Sequence, residues 1–160
     1  MGTDEIIETR RLRLRRMQED DRSSLADMDW LDAERVMSRS VRTPWPWGFL
    51  AVTLRESGDF SGICGLLRQR LDHGEEVELA YHLRPRYHGR GIATEAARGV
   101  MEYAFESLDL SRIVSLIRPD NLPSRRVAGK NGLCHERDVV FHGEVHGMHV
   151  ILKQDWEAIR

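Results

Sequence analysis

Apolar and polar residues alternate along several segments of the chain, a period typical of β-strands with one buried side and one solvent-facing side. The alternation is clearest in residues 10–17, where arginines flank Leu12 and Leu14. The same alternation, or a run of β-branched residues, predicts further strands at residues 49–55, 60–68, 77–83 and 112–117 and in the two arms of a hairpin within residues 133–153.

Apolar residues at helical spacing predict three helices between these strands. Acidic residues 19–21 favour the start of a short helix that ends near Trp30. A long amphipathic helix follows Gly91 and reaches Phe105, and a shorter one covers residues 123–131. The helices therefore alternate with strands along the second half of the chain.

The segment between the first helix and the second strand shows neither the alternation of a strand nor the apolar spacing of a helix. Residues 36–48 contain Pro44, Pro46 and Gly48, which disfavour a long helix or a central strand, so we expect a loop with at most one helical turn. The whole order predicts the α/β (α+β) class, a mixed sheet with helices on it, and a single domain over residues 1–160.

Composition indicates the general class of protein but not its function. The content of 41% apolar and 31% charged residues is that of an ordinary globular domain, and a net charge of -2 gives no overall attraction to nucleic acid or membrane, so neither is an expected partner. Cys64 and Cys134 are expected to be free thiols in a reducing compartment, and no apolar run is long enough to cross a bilayer. We therefore expect a cytoplasmic protein.

A short basic loop, residues 84–91, joins the strand at 77–83 to the long helix. Gly89 and Gly91 lie where the helix leaves unpaired N–H groups and the positive end of its dipole, which together attract an anion. A Walker loop is excluded because Gly91 is not followed by lysine and serine or threonine, and a dinucleotide fingerprint is weak because Thr94 occupies the third glycine position. A turn without a ligand remains the alternative.

The loop resembles the acetyl-CoA loop of the GNAT N-acetyltransferases, in the pattern Arg86-x-x-Gly89-x-Gly91 followed by Ile92-Ala93-Thr94-Glu95-Ala96. Further matches resemble the RimJ/RimL branch and follow its order along the chain: residues 11–15 (RLRLR), 62–66 (GICGL), 78–81 (ELAY), and Asn121-x-x-Ser124-x-x-Val127 with Lys130 and Gly132. The resemblance implies the GNAT fold, with about six to seven mostly antiparallel strands that splay apart between strands 4 and 5.

The resemblance also implies acetyl-CoA (coenzyme A) as the cofactor. Pantetheine would bond to the backbone of the fourth strand as an added strand does, and the pyrophosphate would lie on the loop amides. Arg84, Arg90, Arg126 or Lys130 would meet the 3′-phosphate. The implied cofactor-binding residues are Tyr81, His82, Leu83, Arg84, Arg86, His88, Gly89, Arg90, Gly91, Ile92, Ala93, Thr94, Asn121 and Ser124.

The reaction that the resemblance implies is direct acetyl transfer from the thioester to a primary amine in a ternary complex. Glu78 is the candidate general base, with a solvent-facing or ion-paired glutamate as the alternative, and a backbone N–H near Ala80 or Tyr81 would stabilise the oxyanion. Ser124 is the candidate hydroxyl beside the sulfur, with helix capping as the alternative, and Asn121 would fix pantetheine unless it only forms a turn.

The acceptor side is less defined. Trp30, Trp45 and Trp47 are candidate substrate-binding residues, although tryptophans of a loop also pack onto a core. Family members carry a second helix before the second strand, and the loop at residues 36–48 would shorten that acceptor cover. The amine is therefore open between a protein N-terminus and a small molecule, and a homodimer is expected from the resemblance alone.

Two further alternatives stay open. His142, Glu144, His146 and His149 would share a strand face suited to a metal, but Gly143 and Gly147 favour a turn there, so no metal site is expected. The second alternative is a GNAT-fold module that binds acyl-CoA without catalysing transfer.

Overall fold

The computed structural model describes residues 5–28 and 31–160. Within them, eight strands form one sheet in the order β1-β2-β3-β4-β5-β6-β8-β7. The strands are β1 Ile6–Glu8, β2 Leu12–Arg16, β3 Gly48–Leu54, β4 Phe60–Leu71, β5 Gly74–Leu83, β6 Arg112–Ile117, β7 Cys134–Phe141 and β8 Glu144–Leu152. Neighbouring strands are antiparallel except β5 and β6, which run parallel.

Helices cover both faces of this sheet. The α-helices are α1 Ala33–Arg42, α2 Ile92–Glu106, α3 Leu122–Lys130 and α4 Lys153–Ile159, with 3-10 helices at Glu19–Leu25 and Pro85–Tyr87. No helix in the described ranges is long and apolar enough to span a membrane. The mixed, mostly antiparallel sheet with flanking helices confirms the predicted fold class.

Strand alternation divides the buried apolar residues between the two faces of the sheet. The larger core packs α2 against one face of the sheet, through residues such as Leu14, Leu66 and Leu79. A smaller core packs α1 on the opposite face, where Met37 lies in one cluster with Ala51 and Ile63. We call these the α2 face and the α1 face. Because successive strand residues point to opposite faces, Leu79 lies on the α2 face and its neighbour Glu78 on the α1 face.

The sheet opens between β5 and β6. Their backbones are in register only at Glu78 and Val114. One residue further on, the Ser115 hydroxyl donates to the Leu79 carbonyl at 2.7 Å, a bond from a side chain where a continuous ladder would use a backbone N–H. Among the described residues, no further backbone pair is in register between the two strands. The separation therefore lies where the fold class predicts it, between the strand of residues 77–83 and that of 112–117.

The sheet has eight strands, one more than the upper limit of the predicted six to seven. An α-helix that was not predicted, α4, follows the last strand. The predicted first strand is a hairpin, because β1 pairs with β2 through residues Ile6 to Glu8. Three residues are too few to show a period of two, and α4, which has only seven residues, is similarly short. The predicted hairpin turn around residues 143–147 is tighter, since β7 ends at Phe141 and β8 begins at Glu144.

The prediction of a loop at residues 36–48 was wrong for its first half, because α1 extends to Arg42. The helix begins after Asp32, whose carboxylate accepts from the Arg35 N–H at 3.0 Å and caps it. Val36 and Met37 bury its inner side. The prolines that argued against a helix come after its end, so a second helix does precede the strand that begins at Gly48. The predicted helix before it is the 3-10 helix Glu19–Leu25.

Candidate functional site

A cleft of about 1510 Å³ occupies the separation between β5 and β6. Its walls come from the start of α2, from α3, from α1 and from the turn between β7 and β8. Fourteen predicted site residues line it: Trp45, Trp47, Glu78, Tyr81, His82, Leu83, His88, Gly89, Gly91, Ile92, Ala93, Thr94, Asn121 and Ser124. Arg84, Arg86 and Arg90 do not line it, and Trp30 lies outside the described residues.

The loop before α2 depends on two glycines. Gly89 and Gly91 have φ angles of +76° and +74°, a left-handed conformation that side chains with a Cβ rarely adopt. A Cβ at Gly89 would meet no atom within 4 Å, so the loop is open there. Gly91 is the N-cap of α2, and the first helical amides, from Ile92 to Thr94, lack intrahelical acceptors. The loop and the helix start thus present N–H groups to the cleft.

A hydrogen-bond network that the sequence did not reveal fixes this loop to β2. The Arg11 guanidinium donates to the Arg90 carbonyl at 3.0 Å and to Glu95 at 2.7 Å. Glu95 also accepts from the Thr9 hydroxyl at 2.5 Å. Burial alone would raise the pKa of Glu95, but the hydrogen bonds from Thr9 and Arg11 outweigh it and hold the pKa below its usual range. The helix start is therefore held in place before any ligand binds.

The arginines of the loop are used elsewhere in the structure. Arg84 pairs with Asp27 at 3.0 Å and donates to the Phe60 carbonyl at 3.0 Å. The guanidinium groups of Arg86 and Arg90 lie 5.1 and 5.7 Å from the centre of the Tyr87 ring. These contacts stabilise the loop. The positive charges that line the cleft come from other residues.

Arg126 and Lys130 supply those cations from α3. They are four residues apart, so they share a side of the helix, and both line the cleft and are exposed. Neither forms an ion pair with a described carboxylate. The α2 end of the cleft therefore combines a glycine loop, a helix start and two exposed positive charges, a set suited to phosphate groups.

The backbone of β5 faces the opening. Because the Leu79 carbonyl accepts across the gap, the N–H and C=O groups of Leu79, Tyr81 and Leu83 point toward β6, since both groups of a strand residue point to the same side. The Leu83 carbonyl accepts from the His88 ring at 3.0 Å. The Tyr81 ring is buried, and its hydroxyl donates to the Ser124 carbonyl at 2.8 Å. The Tyr81 backbone is left facing the cleft.

Glu78 lies at the point where the two strands part. Its side chain is 7% exposed, and it accepts from Gln69 Nε2 at 2.9 Å and from the backbone N–H of Leu116. Burial raises its pKa to about 7, against which the two hydrogen bonds act in the opposite direction. Within the described chain it is neither solvent-facing nor ion-paired. A carboxylate with such a pKa exchanges protons readily near neutral pH.

His82 lies on the same face of β5 as Glu78. Its ring centre is 5.7 Å from that of Phe49. Burial lowers the pKa of His82 to about 4, so the imidazole is neutral at pH 7. The α1 face of the opening thus carries a carboxyl group that titrates near neutrality beside a neutral ring.

Asn121 and Ser124 begin α3 beside the opening. The Asn121 side chain accepts from the Ser124 N–H at 3.2 Å and is the N-cap, so the capping role that was the alternative for Ser124 belongs to Asn121. Ser124 is half-buried, and no described residue bonds to its hydroxyl. That hydroxyl lines the cleft and remains available to a ligand.

The two candidate tryptophans that the structure describes have partners within the fold. Trp45 Nε1 donates to the Tyr103 hydroxyl at 3.1 Å, and the two rings meet edge to face. The Arg68 guanidinium lies 4.2 Å above the Trp47 ring. Both tryptophans pack against the larger core on the α2 face, so they line the cleft as part of the packing between β3, β4 and α2.

The cysteines and histidines of the described chain do not form a separate reactive centre or metal site. Cys64 is buried, which raises the pKa of its thiol, and Cys134 is exposed on β7. Across residues 5–28 and 31–160, no group of three or more histidine, cysteine, aspartate or glutamate side chains is placed to hold a metal ion.

Comparison with known proteins gives the family and the fold. A family model described as "Acetyltransferase (GNAT) domain" matches residues 11–133. The uncharacterized protein YkkB of Bacillus subtilis is 33% identical over 85 residues, which are 53% of this chain and 49% of YkkB. The chain spans about half the length of the curated relatives it matches.

Solved structures match nearly the whole chain. A GNAT-family acetyltransferase from Bacillus anthracis has a TM-score of 0.78 and 22% identity, over 93% of this chain and 99% of that one. RimL, described as a ribosomal L7/L12 alpha-N-protein acetyltransferase in complex with coenzyme A, has a TM-score of 0.73 and 18% identity, over 92% and 98%. At these identities the likeness shows the fold.

Proposed function

Because the chain belongs to the GNAT acetyltransferase family, we propose that it is an acetyl-CoA-dependent N-acetyltransferase that acts on a primary amine. The predicted family is confirmed, and the observation that carries the proposal is Glu78, a buried carboxylate with a raised pKa at the mouth of a cleft that also holds an anion-binding helix start. The amine belongs to a protein N-terminus or to a small molecule.

The donor end of the cleft fits coenzyme A in three places. The open glycine loop and the first amides of α2 suit the pyrophosphate. The Tyr81 backbone, which faces the gap between β5 and β6, suits the amide groups of pantetheine as an added strand would. Arg126 and Lys130 suit the 3′-phosphate because they line the cleft, whereas the Arg84 side chain pairs with Asp27 and that of Arg90 lies over the Tyr87 ring.

Acetyl-CoA supplies the acetyl group as an activated thioester. Glu78, in its ionised form, takes a proton from the acceptor ammonium, directly or through one water, and frees the nitrogen lone pair for attack on the acetyl carbon. The Tyr81 N–H, aimed into the gap, stabilises the negative charge that develops on the acetyl oxygen. The C–N bond forms, the C–S bond breaks, and the Ser124 hydroxyl relays the second nitrogen proton to the leaving sulfur.

The hydrogen bonds around Glu78 suit this role. Gln69 and the Leu116 N–H both donate to its carboxylate, so they favour the ionised form and fix its direction while burial keeps its pKa near neutral. A base with a pKa near the working pH combines a useful ionised fraction with sufficient basicity.

The test is acetyl-CoA binding by calorimetry, followed by thiol release with a panel of amines and N-terminal peptides. Binding together with acceptor-dependent thiol release supports the proposal. Binding without transfer to any acceptor supports the second candidate, a non-catalytic acyl-CoA-binding module. Absence of binding contradicts both.

A further inference from the structure

The part of the cleft on the α1 face has an excess of basic side chains. Arg35 and Arg39 line it from α1, and His142 and His146 line it from the β7–β8 hairpin. The acidic residues along the cleft are Asp32 and Glu78. Asp32 is committed to capping α1, and Glu78 is buried with two hydrogen-bond donors. The charges of Arg35 and Arg39 are therefore the ones in this part of the cleft that no described contact uses.

Arg35 and Arg39 have no charge partner among the described residues. No described carboxylate lies within 4.0 Å of either guanidinium, and Glu34 of the same helix pairs with Arg22 instead. The two arginines are four residues apart, where like charges on a helix repel each other. Both are exposed to the cleft, so an anion that binds there relieves the repulsion and gains charge-assisted hydrogen bonds.

This pair lies on the side of the sheet from which an amine reaches Glu78. Glu78 points to the α1 face, while the glycine loop and α2 lie on the other. A molecule that enters between α1 and the β7–β8 hairpin therefore passes the two arginines before it reaches the carboxylate. The phosphate-binding elements are on the far side of the opening, so these arginines are left to the acceptor.

We propose that the acceptor of this transferase carries a carboxylate near its amine, and that Arg35 and Arg39 bind the carboxylate while the amine lies against Glu78. The planar guanidinium donates two parallel hydrogen bonds to a carboxylate, which makes the pair selective for such a group. The inference rests on the proposed acetyl transfer and adds the chemical class of the acceptor. Both a free acidic amino acid and an acidic peptide N-terminus carry this chemistry.

The test measures kcat/KM with acceptors that differ only in charge. One arm compares aspartate with asparaginamide, in which both carboxylates are replaced by neutral amides. The other compares a peptide that begins serine-aspartate-glutamate with one that begins serine-asparagine-glutamine, and spermidine serves as a cationic acceptor. We expect the acidic member of at least one pair to be preferred by about tenfold, mainly through KM, with the preference falling at high salt. The arm that shows the preference identifies the source of the carboxylate.

Variants locate the preference on α1. Arg35→Gln and Arg39→Gln are each expected to reduce it severalfold, and Arg39→Glu to shift it toward a serine-lysine-lysine peptide. Arg42→Gln is the matched control, because Arg42 ends the same helix, is exposed and does not line the cleft. Circular dichroism checks that each variant is folded.

The outcomes separate the inference from the function it rests on. Three results would overturn the inference: equal kcat/KM within both pairs, a preference for spermidine, or an equal loss of preference in Arg42→Gln. In each case, acetyl transfer to the neutral acceptors would still support the proposed N-acetyltransferase function. Acetyl-CoA binding without thiol release for any acceptor would overturn both.

Discussion

The two ends of the cleft are built in different ways. The donor end is concentrated in one stretch, residues 84–94, where two glycines and a helix start converge. The acceptor end is assembled from α1, β5 and the β7–β8 hairpin, which are separated by tens of residues in the chain. The phosphate groups of a cofactor require one local backbone geometry, which a short stretch of chain can supply. Acceptor selection instead depends on side chains that meet only in the folded protein. The two ends should therefore respond separately to mutation.

The largest expected effect breaks the donor end alone. Gly89→Asp forces a side chain into a left-handed conformation and adds a negative charge beside the α2 start, so we expect acetyl-CoA affinity to fall by about a hundredfold or more. Calorimetry measures the affinity. Gly58→Asp is the matched control, because Gly58 also has a positive φ (+79°) and no atom within 4 Å of a Cβ, but lies in the β3–β4 turn. An equal loss in both variants would contradict a local role of the loop.

The next effect acts on the chemistry and spares the donor. Glu78→Gln leaves an amide oxygen that can still accept from Gln69 but removes the base, and we expect kcat/KM to fall about a hundredfold with acetyl-CoA affinity unchanged. In the parent protein, kcat/KM should rise with pH and level off near pH 7, as the carboxyl group loses its proton. The variant should lack that rise. Full activity of the variant at neutral pH would remove Glu78 from the mechanism and leave the family assignment intact.

The same variant makes a prediction for stability. The pKa of Glu78 is raised from 4.5 to about 7 in the folded protein, so ionisation disfavours the folded state progressively between these pH values. Above pH 7, Glu78→Gln should therefore be more stable than the parent, by up to about 3 kcal/mol, whereas below about pH 4.5 the two should be equal. Urea unfolding at several pH values measures the difference. A variant less stable than its parent at pH 8 would contradict the burial of a charged carboxylate.

A smaller effect is expected where the two ends meet. Ser124→Ala removes the hydroxyl beside the proposed position of the sulfur but keeps the Asn121 cap and the carbonyl that accepts from Tyr81. We expect kcat to fall about tenfold with acetyl-CoA affinity unchanged, because proton relay to the leaving group is lost. Stopped-flow measurement of thiol release checks this. An unchanged kcat would assign Ser124 to the cleft wall only.

The smallest effect concerns the exposed cations of α3. Arg126→Gln should weaken acetyl-CoA binding about threefold and remove most of the preference for acetyl-CoA over its 3′-dephospho form, since exposed ion pairs contribute little. Arg125→Gln is the control on the same helix, because Arg125 donates to the Pro119 carbonyl and does not line the cleft. Calorimetry with both nucleotides measures the preference. Equal preferences in parent and Arg126→Gln would place the 3′-phosphate elsewhere.

Some differences between the predicted elements and the structure have a local cause. Residues 36–48 were predicted as a loop because the prolines and Gly48 dominated the pattern, whereas α1 ends at Arg42, before all of them. Asp32 as an N-cap and the buried pair Val36 and Met37 were signals of that helix. β1 had no comparable signal, because three residues do not establish a period.

Other residues were missed because their roles depend on pairing between distant segments. Gln69 lies diagonally across the β4–β5 ladder from Glu78, where Leu67 is the direct partner. The predicted strand at residues 60–68 ends before Gln69. A longer strand, paired with the strand at residues 77–83, would have placed Gln69 near Glu78. Arg11, Thr9 and Glu95 meet across more than 80 residues of chain, and no local pattern indicates that contact.

The sequence alone determined the donor end, because a glycine loop at the start of an amphipathic helix is a local arrangement whose backbone geometry follows from adjacent residues. Strand alternation likewise determined most of the sheet, and the resemblance to the GNAT family gave the place where it opens. Only the tertiary structure decided which side chains face that opening. It buried Glu78, drew Arg84 to Asp27, and placed Arg35 and Arg39 in the wall of the cleft that Glu78 also lines. Burial and charge pairing arise between segments far apart in the chain, so they exist only once the sheet has formed.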